Sequence, residues 1–562
     1  MAFRHGLLRS DSVVTVLGGP VPVEVTEGDT ADGFTASTDW ELRDGTHCQY
    51  YDVTLQVWYE GDGPVERGLQ VRFALEGSGR PNWLVPGAFY KENRLPQCTH
   101  MYPRYDWEGG DPQQLVSDTW SFRADRAALP AVFAWNEDGC VGLATAETSA
   151  MGICGMGFSG NAEGTYVWLN FPYREEPAMF AEPGHPAPVD CPLYRWEPGE
   201  TMTLHFRVYA GWPEPHAYNP FVRELYAIHR TTSALNPWMG LRQAAELTAH
   251  GLCQWHSGGG GAPYAHALLM YGRKHGRADY VEAGLNVLNQ VASGAASAED
   301  TLFLVRALAA EQELGVVHPD WREAVLTHLR HITAHQREDG SYGDGGMLWI
   351  AALLEGARLL GDEGFRASAL KAGAYYSRFV DDDFICGASL IPTAAAGYSA
   401  VMAYVLLYEE DRDERWLRLG ARAADWTMTF RWAYNIYWPA HTILAAYDFR
   451  SRGADLASPC DQYLQNYGLI CLPEMLRLHR YTGDAYYLER TRDNLACFLQ
   501  FIARADGDFN AYKGMVAERY YNTRCFELKG MLRNRSHARS VGATLYAVQA
   551  ALAFEAELQL PR

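Results

Sequence analysis

The first 215 residues follow the two-residue period of β-strands. Apolar and polar positions alternate in several short runs, for example over residues 51–59, 69–75 and 202–209. Turn-forming residues, mostly Gly, Pro, Asp and Asn, separate these runs. Because no helical pattern interrupts them, the runs predict an antiparallel β-sandwich over residues 1–215.

One insertion breaks the strand pattern. Residues 81–107 are rich in aromatic and charged side chains, and the segment is too long for a hairpin turn. Long loops in compact domains are often functional. We expect this loop either to pack on the surface or to reach toward a pocket of the neighbouring domain. In the second case Tyr90, Asn93 and Arg94 are its candidate substrate contacts.

From residue 216 the apolar positions recur with the helical period. A linker helix is predicted within 216–236, and a helical domain over 237–562. Its twelve helices are expected at about 238–254, 263–275, 278–294, 298–314, 318–336, 345–360, 363–380, 394–410, 413–428, 464–482, 484–503 and 540–557. Helices that are apolar on one side alternate with helices that are apolar nearly all round, which indicates outer and inner positions. The predicted fold class is therefore a β-sandwich followed by an all-α (α/α)6 toroid.

The connections between these helices also alternate in length. Connections from an inner to an outer helix are short, whereas those from an outer to an inner helix are long and polar. The longest cover about residues 431–463 and 505–539. In a toroid all the long loops emerge at one end, beside the N-termini of the inner helices. We therefore expect a concave functional site at that rim.

Residues 337–349 connect the fifth and sixth predicted helices. Four glycines and three acidic residues in this segment precede an apolar run. An acid just before a helix caps its N-terminus and interacts favourably with the helix dipole, so a capped helix start is the simplest interpretation. The place of the segment on the predicted rim favours a catalytic role instead, with Asp344 as the first candidate and Asp339 as its nearest rival.

Composition and charge exclude several classes of function. A net charge of −20 and a pI of about 5.4 argue against general binding to nucleic acids or anionic membranes. No apolar run reaches the roughly 18 residues of a membrane span, and residues 1–11 lack the apolar core of a signal peptide. The 11 cysteines are scattered singly, and no cluster with metal-ligand spacing stands out. We expect a cytoplasmic protein without a metal or cofactor; a homodimer is compatible with the sequence, which leaves the oligomeric state open.

The predicted sandwich and paired helices together resemble the six-hairpin glycosidase superfamily. Residues 344–351, in which an Asp precedes two glycines, Met and Leu, are similar to the segment of unsaturated glucuronyl hydrolases where an Asp opens the sixth helix. That resemblance implies a second Asp near the start of the fourth helix, where Asp300 lies. A similarity to glucoamylase-like members implies an acid before the sixth helix and a base before the twelfth, here Glu518 or Glu527.

Glycoside cleavage requires a proton donor and a carboxylate that activates water or attacks the anomeric carbon. Asp344 is the preferred acid or base, and Glu518 and Asp300 compete as its partner; helix capping or a surface salt bridge is the alternative role of each partner. A basic cluster on the rim of an acidic chain suits a uronic acid, since Arg binds carboxylates through two hydrogen bonds. Asp461 is expected to cap the tenth helix or to bond sugar hydroxyls. The other candidate substrate contacts at the rim are His256, Trp349, Trp438, Tyr463, Arg519, Tyr521, Asn534, Arg535 and His537.

The preferred hypothesis is an exo-acting glycoside hydrolase whose partner is an oligosaccharide. The second is a polysaccharide lyase with a Tyr or His base and Asn or Arg groups that neutralise a uronate. A non-catalytic carbohydrate-binding protein is the third. A sugar epimerase, which would pair two of the histidines His256, His266 and His441, is the most distant. Replacing Asp344 by Asn should abolish turnover by a hydrolase, spare a lyase and have no effect on a binding protein.

Overall fold

The structure is a computed structural model. It describes residues 8–9, 12–77, 79–93, 95, 104–105, 116–161, 164–182, 185–187, 189–254, 261–294, 297–343, 346–386, 390–524, 527–533 and 537–560. Strands predominate as far as Gly211, and helices predominate beyond it. This order confirms the predicted fold class.

Strands make up the N-terminal part of the described chain, and all of their pairings are antiparallel except that of β10 with β11. Their bounds are β1 Leu8–Arg9, β2 Val14–Leu17, β3 Val23–Val25, β4 Thr30–Ala31, β5 Phe34–Asp44, β6 Gln49–Tyr59, β7 Val65–Leu75, β8 Asn82–Val85, β9 Phe89–Tyr90, β10 Arg104–Tyr105, β11 Val116–Ser117, β12 Thr119–Arg123, β13 Ala131–Trp135, β14 Cys140–Ala144, β15 Thr148–Ser149, β16 Gly152–Ile153, β17 Gly155–Asn161, β18 Gly164–Phe171, β19 Met179–Glu182, β20 His185–Ala187, β21 Tyr194–Trp196 and β22 Glu200–Gly211. A 3-10 turn, Ala124–Arg126, follows β12.

Sixteen of these strands form two eight-stranded sheets, and the pairs β10–β11, β15–β16 and β19–β20 form two-stranded sheets. One eight-stranded sheet has the order β12-β17-β18-β7-β2-β3, with β1 and β21 also paired to β7, and the other has the order β4-β5-β6-β22-β14-β13-β8-β9. Val53, Leu55 and Val57 alternate along β6 and are at most 1% exposed, as the period of residues 51–59 predicts. They share one apolar core with Val71 and Phe73 of β7 in the opposite sheet. The two sheets therefore face each other as a sandwich.

Helices form the remainder of the described chain. Their bounds are α1 Asn219–Thr232, α2 Leu241–Gln254, α3 Gly261–His275, α4 Ala278–Ala292, α5 Ala298–Glu313, α6 Pro319–Ala334, α7 Leu348–Leu360, α8 Glu363–Asp381, α9 Ala394–Asp411, α10 Glu414–Met428, α11 Ile443–Ala446, α12 Leu472–Thr482, α13 Ala485–Phe498, α14 His537–Leu552 and α15 Glu555–Leu558. The predicted tenth helix differs most, because α12 starts only at Leu472, after a 3-10 turn over Tyr467–Cys471. Residues 464–465 are a strand instead.

Six helices form a closed inner ring. Helices α3, α5, α7, α9, α12 and α14 pack in this order, and α14 packs against α3. Arg306 of α5 donates hydrogen bonds to Glu355 of α7 at 2.7 Å and to Glu474 of α12 at 2.9 Å, so one guanidinium links three inner helices. Helices α2, α4, α6, α8, α10 and α13 are their hairpin partners. The short turns between inner and outer helices, such as the one at Gly361 (φ 71°), bring all the inner N-termini to one end.

Two long connections lie at that end and pair with each other. The first rim loop (residues 429–466) leads from α10 to the 3-10 turn before α12, and the second rim loop (residues 499–536) leads from α13 to α14. The first contributes β23 Asp455–Leu456 and β24 Leu464–Gln465, and the second contributes β25 Arg519–Tyr520 and β26 Leu532–Arg533. These strands form one sheet in the order β23-β24-β25-β26. The long loops thus meet at one rim, as the loop lengths predict.

No helix within the described ranges is long and apolar enough to cross a membrane. The nine cysteines that the structure describes are free thiols. Five of them, at positions 48, 140, 154, 471 and 497, are buried. In these positions Cys packs as a small apolar side chain.

Candidate active site

Glu518 lies on the second rim loop directly before β25 and is 6% exposed. Its Oε1 accepts a hydrogen bond from the hydroxyl of Tyr467, the first residue of the 3-10 turn before α12. Its Oε2 lies 4.0 Å from Nε of Arg519. This candidate carboxylate is therefore close to the N-terminal end of an inner helix.

Tyr467 connects Glu518 to a second carboxyl group. The guanidinium carbon of Arg539 lies 4.4 Å from the centre of the Tyr467 ring. Arg539 also donates a hydrogen bond from Nη2 to Oε2 of Glu299 at 3.0 Å. Glu299 lies in the first turn of α5 and Arg539 in the first turn of α14. We call Glu518, Tyr467, Arg539 and Glu299 the rim chain, since they join the N-terminal ends of three inner helices.

The two ends of the rim chain offer carboxyl groups in different surroundings. Burial raises the pKa of Glu299; the Arg539 cation opposes the rise, and the neighbouring Asp300 charge adds to it. Burial is the largest single effect on the pKa of Arg539 and lowers it, but the neighbouring Glu299, Tyr467 and Glu518 side chains together outweigh burial, so the net shift is upward. A carboxyl group with a raised pKa keeps its proton at higher pH and suits general acid catalysis.

Two further tyrosines and an arginine stand beside Glu518. The Arg519 guanidinium carbon lies 4.4 Å from the centre of the Tyr463 ring, and the Tyr463 and Tyr521 ring centres are 6.3 Å apart. Burial, with the Asp461 charge second, raises the pKa of Tyr463 to about 12. Burial and the hydrogen bond to Glu518 also raise the pKa of Tyr467. The hydroxyls of Tyr463 and Tyr467 are therefore protonated at neutral pH.

Asp300 and Asp339 make local bonds instead of joining the rim chain. Oδ1 of Asp300 accepts the Ala262 N–H at 2.9 Å, which ties the start of α5 to the start of α3. The Asp339 side chain is exposed and accepts both the N–H and the hydroxyl of Ser341, at 2.9 and 2.7 Å. These hydrogen bonds lower the pKa of Asp339, which is the opposite of what a general acid requires. Both carboxylates thus organise the backbone around them.

The first rim loop contains three other candidates in different settings. Tyr463 lies beside Glu518, as described above. Trp438 is 7% exposed and donates its indole N–H to the Phe449 carbonyl at 2.8 Å, so it packs inside the loop. Asp461 does not cap the tenth helix: it is exposed, six residues before the 3-10 turn, and its N–H donates to the Ser458 hydroxyl oxygen. That prediction is wrong because residues 464–465 pair as β24 before the helical turn begins.

The segment predicted as a loop over residues 81–107 includes β8 and β9 at the edge of one sheet, and its residues near Tyr90 pack tightly against the helical domain. The Tyr90 ring stacks on Phe430 with ring centres 4.4 Å apart, and its hydroxyl is 2.8 Å from Oγ1 of Thr429. Asn93 is fully buried at a positive φ of 61°, and its side chain accepts the Tyr90 N–H at 2.7 Å. Neither side chain has surface to offer a substrate, so both are packing residues. Trp349, in the first turn of α7, is 7% exposed.

Several predicted residues lie outside the described residues. They are Asp344, Arg94, His256, Asn534 and Arg535, and their roles stay predictions. His537 begins α14. Helix α7 starts three residues later than predicted, and Met347 at its N-cap position makes no side-chain capping bond.

The sequence did not single out three members of the rim chain as site residues: Glu299, Tyr467 and Arg539, of which Arg539 belongs to the basic cluster predicted at the rim. All three lie at the start of an inner helix or of the turn before it. Their position relative to the helix starts was therefore the signal that could have found them. Among the described residues, no group of three or more His, Cys, Asp or Glu side chains is placed to hold a metal ion.

No protein-family model and no curated protein matches the chain. Solved structures of low similarity include a polysaccharide lyase, with 10% identity, a TM-score of 0.42 and coverage of 96% of this chain and 92% of that one. Another is an unsaturated glucuronyl hydrolase specific for heparin, with 9% identity, a TM-score of 0.41 and coverage of 56% and 98%. A third is the cellobiose 2-epimerase of Spirochaeta thermophila, with 10% identity, a TM-score of 0.39 and coverage of 61% and 100%. What the site does chemically therefore has to follow from this chain's own residues.

Proposed function

We propose that this protein is a glycoside hydrolase that cleaves acidic oligosaccharides at the toroid rim. The observation that supports it best is the rim chain, in which one cation and one tyrosine connect two carboxyl groups. Glycoside hydrolysis uses two carboxyl groups in different protonation states. The rim chain joins two carboxyl groups, those of Glu299 and Glu518, which come from a helix and a loop that are far apart in the sequence.

Glu299 is the proposed proton donor. Its raised pKa favours the neutral acid, which gives its proton to the leaving oxygen as the glycosidic bond breaks. Glu518 is the proposed carboxylate that activates water or attacks the anomeric carbon, because it lies at the opposite end of the rim chain from the proposed donor. Asp344, the acid predicted from the sequence, is the alternative donor.

The basic groups of the rim suit a substrate with a carboxylate. Arg519 lies beside Glu518, and its Nε makes no hydrogen bond within the described part of the chain. The Arg519 side chain keeps 29% of its surface exposed, so its guanidinium is open to a substrate. A uronate would therefore find a cation beside the proposed catalytic carboxylate, which favours a uronic acid as the substrate class.

A polysaccharide lyase is the second candidate. The observation that favours it is the Tyr467 hydroxyl, which points at a carboxylate and lies under the Arg539 cation. A lyase base, however, must lose its proton, and the raised pKa values of Tyr463 and Tyr467 oppose that. The carboxyl pair therefore favours hydrolysis over elimination.

Product analysis on uronate-terminated oligosaccharides separates these functions. A hydrolase releases a new reducing end without a new ultraviolet absorbance, whereas a lyase forms an unsaturated, absorbing product. We expect hydrolysis, and a loss of about 10²–10⁴ in kcat for Glu299→Gln and for Glu518→Gln. The Asp344→Asn variant is measured in parallel. If it loses all activity while Glu299→Gln stays active, the proton donor is Asp344 and not Glu299.

Glu527→Gln is the matched control for Glu518→Gln. Glu527 lies in the same loop, and its carboxylate pairs with Arg533 at 3.0 Å instead of with a member of the rim chain. The control should retain wild-type activity. An absorbing product would refute hydrolysis, and equal losses in the control would show that any charge change in this loop disturbs the enzyme.

A further inference from the structure

One short segment of the sandwich forms hydrogen bonds with both rim loops. Residues 124–128 contain the 3-10 turn after β12, and we call them the sandwich turn. Oδ2 of Asp125 accepts a hydrogen bond from Nζ of Lys529, in the second rim loop, at 2.6 Å. Nε of Arg126 donates to Oε1 of Gln462, in the first rim loop, at 3.1 Å. Two adjacent residues thus hold two loops that are far apart in the sequence.

Lys529 is rigidly connected to Glu518. The next residue, Gly530, donates its N–H to the Tyr521 carbonyl at 2.8 Å, and the Tyr521 N–H donates to the Met531 carbonyl at 2.9 Å. These bonds continue the pairing of β25 with β26, which starts directly after Glu518. A displacement of Lys529 therefore passes along one hairpin to the candidate carboxylate.

Gln462 has the same relation to Tyr463. It directly precedes this ring, and Leu464 of β24 pairs with Tyr520 of β25. The two anchors therefore converge on the same four-stranded sheet. Backbone bonds reinforce them, since the Ala433 N–H donates to the Ala128 carbonyl at 3.0 Å.

The anchors are buried and charged. The exposed side-chain fractions are 1% for Asp125 and 8% for Lys529. Arg123 makes two further hydrogen bonds to Asp125, at 3.0 and 2.8 Å, and the Glu147 carboxylate lies 3.6 Å from Lys529. Desolvated ion pairs add little net stability, but they define one geometry, because any other arrangement leaves a buried charge unpaired.

We propose that the sandwich turn is part of the enzyme's machinery: Asp125 with Lys529 and Arg126 with Gln462 set the positions of Glu518 and Tyr463. The expected effect on catalysis rests on the proposed function, whereas the anchoring of the loops does not. Lys529 and Gln462 are positioning residues, since they touch the rim chain only through the sheet. The β-sandwich then acts as a template that fixes the catalytic loops.

Lys529→Met tests the proposal, and Lys91→Met is its matched control. Lys91 also pairs with an aspartate across the interface of the two domains, at 2.8 Å from Asp382, but among the described residues its side chain forms no ion pair with either rim loop. We expect Lys529→Met to lower kcat about 100-fold with a smaller change in KM, because small misplacements of catalytic groups have effects of that size. Amide hydrogen exchange of residues 515–522 should rise at least several-fold in Lys529→Met and stay unchanged in Lys91→Met.

Each outcome decides one part of the proposal. Unchanged exchange in residues 515–522 overturns it, and so does a rise in exchange with an unaltered kcat. A wild type inactive on every sugar refutes the proposed hydrolase, while the exchange result still decides whether the sandwich turn holds the loop. If Lys529→Met does not fold, Gln462→Met replaces it, with exchange of residues 460–466 as the readout; Arg126 then keeps its bond to Glu175.

Discussion

Replacing Glu147 by Gln removes one titrating group from the interface between the sandwich and both rim loops. Glu147 accepts the Tyr437 N–H of the first rim loop at 3.0 Å and lies 3.6 Å from Lys529 of the second. Burial raises the pKa of Glu147 to about 7; the Lys529 cation opposes this rise and the Asp125 charge adds to it. The native protein therefore holds this proton to a higher pH than the unfolded chain does.

The size of the effect follows from the shift. A rise from 4.5 to about 7 corresponds to about 3 kcal/mol, since one pKa unit is about 1.4 kcal/mol. Between these two pH values the native state binds more protons than the unfolded state, so the free energy of unfolding falls as the pH rises. Below pH 4.5 the group is protonated in both states, and above pH 7 it is ionised in both. Gln does not titrate, so the free energy of unfolding of the variant does not fall with pH on account of residue 147.

Urea unfolding of the wild type and of Glu147→Gln over a pH series measures the difference. The subtraction removes the contribution of every other titrating group that the two proteins share. The quantity to compare is the free energy of unfolding of the variant minus that of the wild type. This difference should be about 3 kcal/mol larger at about pH 8 than at about pH 4.5. A difference that does not change with pH would refute the assignment of a raised pKa to Glu147.

Three further substitutions test separate parts of the structure. Tyr467→Phe should lower kcat about 10- to 100-fold with the fold intact, because it removes the hydrogen bond that the Tyr467 hydroxyl donates to the Glu518 side chain. Steady-state kinetics measure the change and circular dichroism checks the fold; an unchanged kcat would show that Tyr467 takes no part in the chemistry. Asp300→Ala should lower the free energy of unfolding by about 1–2 kcal/mol, since its carboxylate joins the starts of α5 and α3. It should lower kcat far less than Glu299→Gln does, because the Asp300 charge is only one of the causes of the raised pKa of Glu299; inactivity in a stable variant would contradict this. Gly453→Ala should lower the melting temperature, because φ is 96° and the added Cβ would lie 2.0 Å from the Asp493 carbonyl oxygen; an unaltered melting temperature would mean that the loop relaxes freely.

The architecture could be predicted because it depends on patterns that are local in the sequence. Alternation over residues 51–59 is enough to define a half-buried strand, and β6 has those bounds within two residues. The contrast between smooth and one-sided helices separates the inner from the outer ring. Loop length adds the end of the toroid at which the connections gather. None of these inferences needs to know which side chain touches which.

The identity of the site residues could not be predicted in the same way. Asp300 was a candidate and Glu299 was not, although the two are neighbours in one helical turn. Adjacent residues on a helix point about 100° apart, so one carboxylate bonds the start of α3 and the other bonds Arg539. From the sequence, Trp438 could be a stacking platform or a packing residue. The hydrogen bond from its indole N–H to the Phe449 carbonyl shows that it packs inside the loop.

The sequence by itself determined the two domains' fold classes and the rim at which polar loops gather, because strand and helix periods record which face of each element is buried. The tertiary structure alone decided which charges meet. Lys529 and Asp125 are 404 residues apart in the chain, yet their side chains share a buried hydrogen bond. Such a pairing depends on how two domains dock, and docking is set by surfaces that no single segment of sequence encodes.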